Sequence, residues 1–220
     1  MSKRIVVTGA AGALGKAVIA ALNAAGHDTV GVDIGATAGG PGAFVGGVDL
    51  TDEAAARDAF ARIAADGVID GLTNVAGGFT WETVAEGSLQ SWQRMFAMNV
   101  VTALNACRAA LPHLRSGASI VNVGAAATAR AGAGMGAYTA SKSGVARLTE
   151  ALADEVKDRR IRVNAVLPSI LDTPANRADM GEEGADKWVK GEELSAVIAF
   201  LLSDAASAVT GASIPVMGRV

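Results

Sequence analysis

The feature that most constrains this chain is a short apolar segment that runs through a glycine-rich turn into an amphipathic helix pattern. Residues 4–8 lead into the turn Gly9-Ala-Ala-Gly12-Ala-Leu-Gly15, after which apolar residues recur every three or four positions until Gly26. Strand, glycine turn and helix are the context of a dinucleotide-binding fingerprint, because glycines let the backbone approach a pyrophosphate and the helix N-terminus offers free N–H groups. A plain glycine-rich loop is the alternative.

The same alternation of strand and helix patterns continues along the chain. It predicts further strands at about 28–33, 43–48, 68–75, 118–124, 161–167 and 212–216. It predicts helices at about 53–65, 88–115, 138–157 and 195–202, with room for a short helix around 173–180. Residues 35–42 are expected to form a glycine-rich loop, and 79–87 a polar loop. The chain is therefore predicted to be one α/β domain over residues 1–220, a doubly wound Rossmann-type sheet of seven mostly parallel strands with helices on both faces.

Composition narrows the classes of function. A net charge of -3 and only nine aromatic residues argue against a nucleic-acid surface, and no apolar stretch approaches the ~20 residues of a membrane span. The single cysteine, Cys107, allows no internal disulfide, fits the reducing cytoplasm and is expected to pack in the core. His27 and His113 lie far apart without a Cys or carboxylate cluster, so no metal site is expected.

The second predicted strand ends at Asp33, 18 residues after Gly15. An acidic residue here would accept hydrogen bonds from the adenosine ribose hydroxyls and repel a 2′-phosphate, which favours NAD(H) over NADP(H). A loop-capping aspartate is the alternative, because Asp is common in turns. The fourth predicted strand ends near Gly77 and Gly78, at the sheet edge where α/β proteins bind ligands.

A tyrosine and a lysine lie four residues apart in Tyr138-Thr-Ala-Ser-Lys142, which places them on one face of a helix. A lysine ammonium beside a tyrosine favours the phenolate and lowers its pKa. Such a pair can donate a proton to a developing alkoxide or remove one from an alcohol. The pattern alone also occurs by chance. Asn99 is a polar residue within a predicted helix, where an exposed and idle amide is the simpler interpretation.

Together these residues resemble the short-chain dehydrogenase/reductase family over nearly the whole chain. The matching segments are Thr8-Gly9…Gly15, Asp49-Leu50, Asn74-Val-Ala-Gly77, Asn99-Val100, Tyr138…Lys142, Arg162-Val-Asn164 and Thr210-Gly211. The resemblance implies an NAD(H)-dependent oxidoreductase that transfers a hydride to or from a small carbonyl, alcohol or activated C=N substrate. It also implies a homodimer or homotetramer that associates through the helices at about 88–115 and 138–157.

The resemblance assigns roles to individual residues. Tyr138 would be the general acid/base, Lys142 would bind the nicotinamide ribose and lower the tyrosine pKa, and Asn99 would hold a water in a proton relay. The cofactor would contact Gly9, Ala11, Gly12, Ala13, Leu14 and Gly15 at the pyrophosphate, Asp33 at the ribose, Asp49 and Leu50 at the adenine, Asn74, Ala76 and Gly77 on its other side, and Pro168, Ile170 and Thr173 near the nicotinamide and from a short lid at about 168–190.

Two residues depart from the family pattern. Ala13 replaces the first glycine of the usual final Gly-x-Gly, a change of backbone detail that also occurs in dinucleotide binders. Ala125 stands thirteen residues before Tyr138, where the family has a substrate-binding serine, and alanine cannot stabilise an oxyanion. Three interpretations remain open: Thr128 or Ser169 substitutes in a pocket that includes Gly78, the substrate needs no such donor, or the protein is a catalytically idle dinucleotide-binding sensor.

The second interpretation draws on a narrower similarity. A Gly-Ala pair at this position, together with Val166-Leu-Pro168, Leu171-Asp-Thr-Pro-Ala-Asn-Arg177 and Trp188, resembles quinonoid dihydropteridine reductase. That subgroup reduces a conjugated C=N system with NADH. Asp172 and Arg177 in this segment are expected to pair within the lid, and contact with a ligand is the alternative.

Overall fold

A seven-stranded sheet forms the centre of the protein. The computed structural model describes residues 2–36 and 42–220, and its strands run in the order β3-β2-β1-β4-β5-β6-β7 with every neighbouring pair parallel. The strands are β1 Arg4–Thr8, β2 Asp28–Val32, β3 Ala43–Val45, β4 Ile69–Asn74, β5 Leu114–Val123, β6 Arg162–Pro168 and β7 Ser213–Val216. The predicted doubly wound Rossmann-type sheet is confirmed.

Helices cover both faces of the sheet. They are α1 Ala13–Ala24, α2 Glu53–Ala65, α3 Leu89–Phe96, α4 Thr102–Ala110, α5 Gly136–Glu155, α6 Pro174–Met180 and α7 Gly191–Leu202. Because side chains alternate along a strand, Ile5 and Val7 pack with α1 and α7 on one face, whereas Val6 packs on the other face with α2, α4 and α5. Cys107 lies in this second core, as predicted.

The order of the strands reverses between β1 and β4. Thr8 at the end of β1 is in register with Asn74 at the end of β4. The segments that follow these two strands, the glycine turn and residues 75–78, therefore meet at one edge of the sheet. Open α/β sheets bind ligands in the crevice at this point of reversal.

The helix predicted over 88–115 is interrupted and ends early. A wider π-helical turn, Ala97–Val101, separates α3 from α4 and contains Asn99. Such turns are rare in proteins, and those that occur are often located at functional sites. A 3₁₀ turn with Pro112 then ends the helix, because proline has no N–H to donate to the preceding turn. Leu114 and Arg115 belong to β5, and the helical prediction is wrong there.

Other predicted boundaries shift by a few residues. β3 ends at Val45, three residues early, before the glycine pair Gly46 and Gly47, and Gly47 has a positive φ of 73°. The predicted loop over 35–42 falls largely on residues 37–41, outside the described part of the chain. Among the helices of the described residues, none combines the length and apolar character required to cross a bilayer.

The lid contains the short helix that the sequence allowed. Thr173 caps α6 by accepting a 3.2 Å hydrogen bond from the Asn176 N–H, and Pro174 starts the helix. Asp172 accepts two hydrogen bonds from the Arg177 guanidinium, at 2.6 and 2.9 Å, and this hydrogen bonding lowers the pKa of its carboxyl. The pairing expected within the lid is present.

Candidate active site

A cleft of about 1550 Å³ opens at the carboxyl ends of the strands. It is lined by most of the residues that the sequence assigns to a site: Gly9, Gly12, Ala13, Leu14, Gly15, Asp33, Asp49, Leu50, Ala76, Gly77, Gly78, Ala125, Tyr138, Lys142, Pro168, Ser169, Ile170 and Thr173. The fold therefore brings together segments that are far apart in the sequence, from Gly9 to Thr173. Four predicted residues do not line this cleft: Ala11, Asn74, Asn99 and Thr128.

The glycine turn leaves no room for side chains at two of its positions. Gly9 has a positive φ of 65°, and a Cβ there would lie 2.7 Å from the Ala76 nitrogen. A Cβ on Gly15 would collide with the Gly9 carbonyl oxygen, whereas one on Gly12 would lie 3.3 Å from the same atom. Gly12 is also the N-cap residue of α1 and provides no side-chain cap. The cradle and the uncapped helix N-terminus together fit a dinucleotide pyrophosphate.

Asp33 braces the glycine turn from the end of β2. Its two carboxylate oxygens accept hydrogen bonds from the Ala11 N–H at 2.9 Å and from the Gly35 N–H at 2.8 Å. Asp33 is thus a loop-capping residue, and the Ala11 N–H is bound to its carboxylate; the contact of Ala11 with a cofactor stays a prediction. The carboxylate also lines the cleft and keeps further lone pairs, so the same side chain can accept hydrogen bonds from ribose hydroxyls.

Asn74 lies beneath the cleft and faces the interior. Its side chain is buried and donates hydrogen bonds to Asn122 Oδ1 at 2.8 Å and to Cys107 Sγ at 3.3 Å. Thr8 closes the layer above by accepting hydrogen bonds from the N–H groups of Val75 and Ala76, both at 3.2 Å. Asn74 does not line the cleft, and its contact with a cofactor stays a prediction. Asn74 supports the strand ends that carry the cleft.

Tyr138 and Lys142 face the cleft from the first half of α5. The Tyr138 ring meets the Phe79 ring edge-on, with centroids 5.0 Å apart and an interplanar angle of 82°. The Lys142 ammonium is buried and donates a 2.9 Å hydrogen bond to the Val123 carbonyl oxygen. The helix thus places both groups where the spacing predicts, and the lysine is anchored to the end of β5.

The electrostatics of the pair differ from the expectation. Burial raises the pKa of Tyr138 to about 12, and burial lowers the pKa of Lys142 to about 8. Both shifts have the same origin, because removal from water disfavours the charged form of each group. In the cofactor-free protein the net pKa of Tyr138 is therefore raised, and Tyr138 keeps its proton at neutral pH; a lowering of this pKa by Lys142 stays a prediction.

Asn99 is neither exposed nor idle. It lies buried in the π-helical turn, accepts a hydrogen bond from the Gly78 N–H at 3.0 Å, and donates to the Gly78 carbonyl at 3.1 Å and to Ser141 Oγ at 3.0 Å. A Cβ on Gly77 would lie 2.6 Å from Asn99 Oδ1 and 3.3 Å from Lys142 Nζ. The glycine therefore leaves space for both polar groups beside it. Asn99 clamps the loop after β4 to α5; its role in a water relay stays a prediction.

Neither hydroxyl that could replace the missing serine has a free proton. Ala125 is buried at the cleft wall, in the expected place. The Thr128 hydroxyl donates a 2.8 Å hydrogen bond to the Ala125 carbonyl, within its own turn. The Ser169 hydroxyl lines the cleft but donates to the Met217 carbonyl at 2.6 Å. The structure thus places Thr128 outside the pocket and leaves Ser169 committed to another acceptor.

Large apolar side chains that sequence reasoning missed also line the cleft. Phe79 and Trp81 come from the loop over 79–87, whose sequence suggested only polar residues, and Met180 and Met217 approach from the lid and the end of β7. Phe79 and Trp81, which follow the glycine pair within three residues, were the sequence signal for this apolar lining. Within residues 2–36 and 42–220, no group of three or more His, Cys, Asp or Glu side chains is arranged to hold a metal ion.

Comparisons with known proteins find a family model and relatives that match nearly the whole chain. The family model described as Enoyl-(Acyl carrier protein) reductase matches residues 9–218. The meso-2,3-butanediol dehydrogenase of Serratia marcescens is 30% identical over 99% of this chain and 94% of its own length. The D-threitol dehydrogenase of Mycolicibacterium smegmatis is 31% identical over 98% of this chain and 92% of its own.

A solved structure gives the same result at the level of the fold. A blue fluorescent protein from a metagenomic library, in complex with NADPH, superposes with a TM-score of 0.89 and 30% identity, and covers 99% of this chain and 97% of its own. Sheet order, glycine turn and cleft are those of a dinucleotide-binding type of α/β fold, and the named relatives, which are dehydrogenases, make the chain an oxidoreductase. The chain belongs to the short-chain dehydrogenase/reductase family.

Proposed function

We propose that this protein transfers a hydride between a nicotinamide dinucleotide and a small carbonyl, alcohol or activated C=N substrate, with Tyr138 as proton donor and acceptor. The observation that carries the proposal is that the glycine cradle, Tyr138 and Lys142 line one cleft. A bound nicotinamide would supply or accept the hydride. The chain would supply the proton, because the Tyr138 hydroxyl remains protonated at neutral pH and Tyr138 lines the cleft.

Replacement of the phenol tests the proposal. Tyr138→Phe keeps the ring that contacts Phe79 and removes only the hydroxyl. We expect turnover to fall about 10²- to 10⁴-fold, the usual worth of a general acid/base, while NADH binding is retained. Steady-state kinetics together with a fluorescence titration of NADH would separate the two effects. Unchanged turnover would contradict the proposed role of Tyr138.

The proposed cofactor is NAD(H), with NADP(H) disfavoured. Asp33 places a carboxylate in the cleft near the glycine turn, and residues 37–41 contain no Lys or Arg. A 2′-phosphate would therefore meet a negative charge there. The related blue fluorescent protein was solved with NADPH, so the test compares both cofactors. We expect wild type to prefer NADH and Asp33→Ala to narrow the preference; a wild-type preference for NADPH would contradict the assignment.

Two alternatives follow from Ala125. Dihydropteridine reductase activity needs no serine donor, but the named relatives, dehydrogenases of butanediol and threitol, do not favour it. A catalytically idle sensor is the other. A panel of aldehydes, diketones and quinonoid imines with NADH distinguishes them: reduction of quinonoid dihydropterin alone supports the first. Silence toward the whole panel, with tight NADH binding, supports the second.

We further propose a homodimer or homotetramer in the cytoplasm. The proposal uses α3, α4 and α5, which replace the helices expected over 88–115 and 138–157. Leu89 and Phe96 on α3 are exposed, which leaves an apolar face for a second copy of the chain. A buried, unpaired Cys107 is compatible with a reducing compartment. Light scattering of wild type and of Phe96→Glu tests the assembly; a monomeric wild type would contradict it.

A further inference from the structure

Five large apolar side chains line the cleft and are called the apolar wall below: Phe79, which contacts Tyr138, and Trp81, Met98, Met180 and Met217. These five side chains line the cleft and keep between 36% and 61% of their surface exposed. Apolar surface of this kind is unfavourable in water and, when it is contiguous, marks a binding site. The apolar wall thus invites a ligand that can cover it.

Two aromatic residues of the apolar wall are held by contacts with α5 and with the segment that precedes it. The Phe79 ring contacts the Tyr138 ring directly. The Trp81 ring packs against Gly134, where any Cβ would collide with it, and its Nε1 donates a 3.1 Å hydrogen bond to the Ala133 carbonyl. Because the only polar atom of the indole is already satisfied, Trp81 offers a ligand its apolar face.

The other three side chains of the apolar wall are methionines, and a further methionine lines the cleft. Four of the six methionines in the chain, Met98, Met135, Met180 and Met217, line the cleft. The unbranched thioether side chain adapts to irregular shapes and makes favourable contacts with aromatic rings. Such a surface suits a flat apolar group better than a small molecule covered with hydroxyls, because each hydroxyl placed here would lose its hydrogen bonds to water.

Charged groups within the cleft do not suit an anionic substrate. Among the described residues that line it, the charged ones are Asp33, Asp49, Lys142 and Asp179. Three are carboxylates, and the fourth, Lys142, is bound to the Val123 carbonyl. A substrate carboxylate or phosphate at the apolar wall would therefore be desolvated without a cationic partner.

Two arginines lie near residues of the cleft, and one of them is paired with a carboxylate. Arg94 donates a 3.1 Å hydrogen bond to the hydroxyl of Thr80, which lines the cleft. Arg177 makes its two hydrogen bonds to Asp172 in the lid. Neither arginine lines the cleft itself. Charge and apolar surface thus point to the same kind of ligand.

We propose that the substrate is an uncharged ketone or alcohol that carries an aromatic or similarly flat apolar group beside the reacting carbon, and that Trp81 selects for this group. The proposal rests on the hydride-transfer function above and adds the substrate class. The apolar group lies against Trp81 and the methionines, while the reacting oxygen faces Tyr138. This substrate differs from the hydrophilic diol and polyol that give the two relatives their names.

A matched pair of diketones tests the proposal. 2,3-Butanedione and 1-phenyl-1,2-propanedione share the reacting dicarbonyl and differ in one phenyl group. For wild type we expect kcat/KM to be at least about tenfold higher for the phenyl compound, the effect expected of an added apolar group in a fitting pocket. Trp81→Ala should lower the ratio of the two kcat/KM values about tenfold. Phe200→Ala removes an exposed aromatic residue of α7 outside the cleft and should leave the ratio unchanged.

The outcomes separate the two levels of the proposal. Wild-type preference for 2,3-butanedione, or a ratio that Trp81→Ala does not change, overturns the substrate class and leaves hydride transfer standing. Silence toward both diketones and the whole panel above, with NADH and NADPH, overturns the proposed function and the substrate class with it. Circular dichroism verifies folding, and Trp81→Leu is scored by the same ratio if Trp81→Ala does not fold.

Discussion

Lys142 donates a 2.9 Å hydrogen bond to the carbonyl oxygen of Val123, the last residue of β5. The lysine follows Tyr138 by one helical turn, but its ammonium is anchored to the sheet. Because burial disfavours the charge on both side chains, the free protein holds a neutral phenol beside an amine of lowered basicity. The cofactor-free protein thus carries Tyr138 in its protonated form at neutral pH.

The titration of Tyr138 can be observed without interference from other tyrosines, since the chain contains only one. We expect the ultraviolet absorbance of the phenolate to appear with a midpoint near pH 12 in the cofactor-free protein, above the ordinary 10.0. Circular dichroism at each pH would exclude unfolding. A midpoint below the ordinary value would show that Lys142 stabilises the phenolate, as the sequence alone predicts.

Stability should depend on pH through Lys142. Its pKa is about 8 in the folded protein and 10.5 ordinarily, so between these values the unfolded chain binds more protons and stability rises with pH. At about 1.4 kcal/mol per pKa unit, wild type should gain roughly 2–3 kcal/mol over Lys142→Met across this window. Urea unfolding at both ends of the window measures this gain. Lys187 is exposed, so wild type should show no such gain over the control variant Lys187→Met. A difference in stability between wild type and Lys142→Met that stays constant with pH would contradict the prediction.

Two glycines of the turn should respond differently to alanine. Gly15→Ala forces a methyl group against the Gly9 carbonyl oxygen and should cost about 1–3 kcal/mol of stability and most of the NADH affinity. Gly12→Ala meets the same oxygen at 3.3 Å and should be milder in both respects. Melting curves and NADH titrations compare the two variants. Equal effects would argue against the close approach at Gly15.

The Asn99 clamp should matter for both stability and turnover. Asn99→Ala leaves the half-buried Gly78 N–H and carbonyl without their partner; a fully buried unsatisfied group costs about 1–3 kcal/mol, and water in the cleft reduces the cost for Gly78. We expect lower resistance to urea and lower kcat, because Gly78 and α5 lose their connection beside Tyr138. Gln90→Ala changes an exposed amide on α3 and is the control. Wild-type stability in Asn99→Ala would contradict the clamp.

Much of the fold followed from local patterns. Glu53–Ala65 was predicted to the residue, because Asp52 caps a clean amphipathic segment through hydrogen bonds from Ala54 and Ala55. The end of α4 was missed because the apolar periodicity continues through Leu114, and only the pairing of that residue with Ile69 makes it a strand. Periodicity reports which residues are apolar, and the neighbouring strand decides their backbone conformation.

The candidate site was predictable where chemistry depends on residue type and spacing, as for Gly9, Asp33, Tyr138 and Lys142. The side-chain contacts of Asn74 and Thr128 were not predictable. The Asn74 side chain turns toward Asn122, and the Thr128 hydroxyl turns toward the Ala125 carbonyl. Those directions depend on partners that are distant in sequence for one residue and on a local turn for the other.

The sequence by itself determined the order of strands and helices, the glycine turn and the tyrosine–lysine pair, because these depend on short-range patterns. Only the tertiary structure decided the burial that shifts both pKa values, the clamp between Asn99 and Gly78, and the apolar wall beside Tyr138. Desolvation and packing act between segments that are far apart along the chain, and local patterns do not record which of them meet.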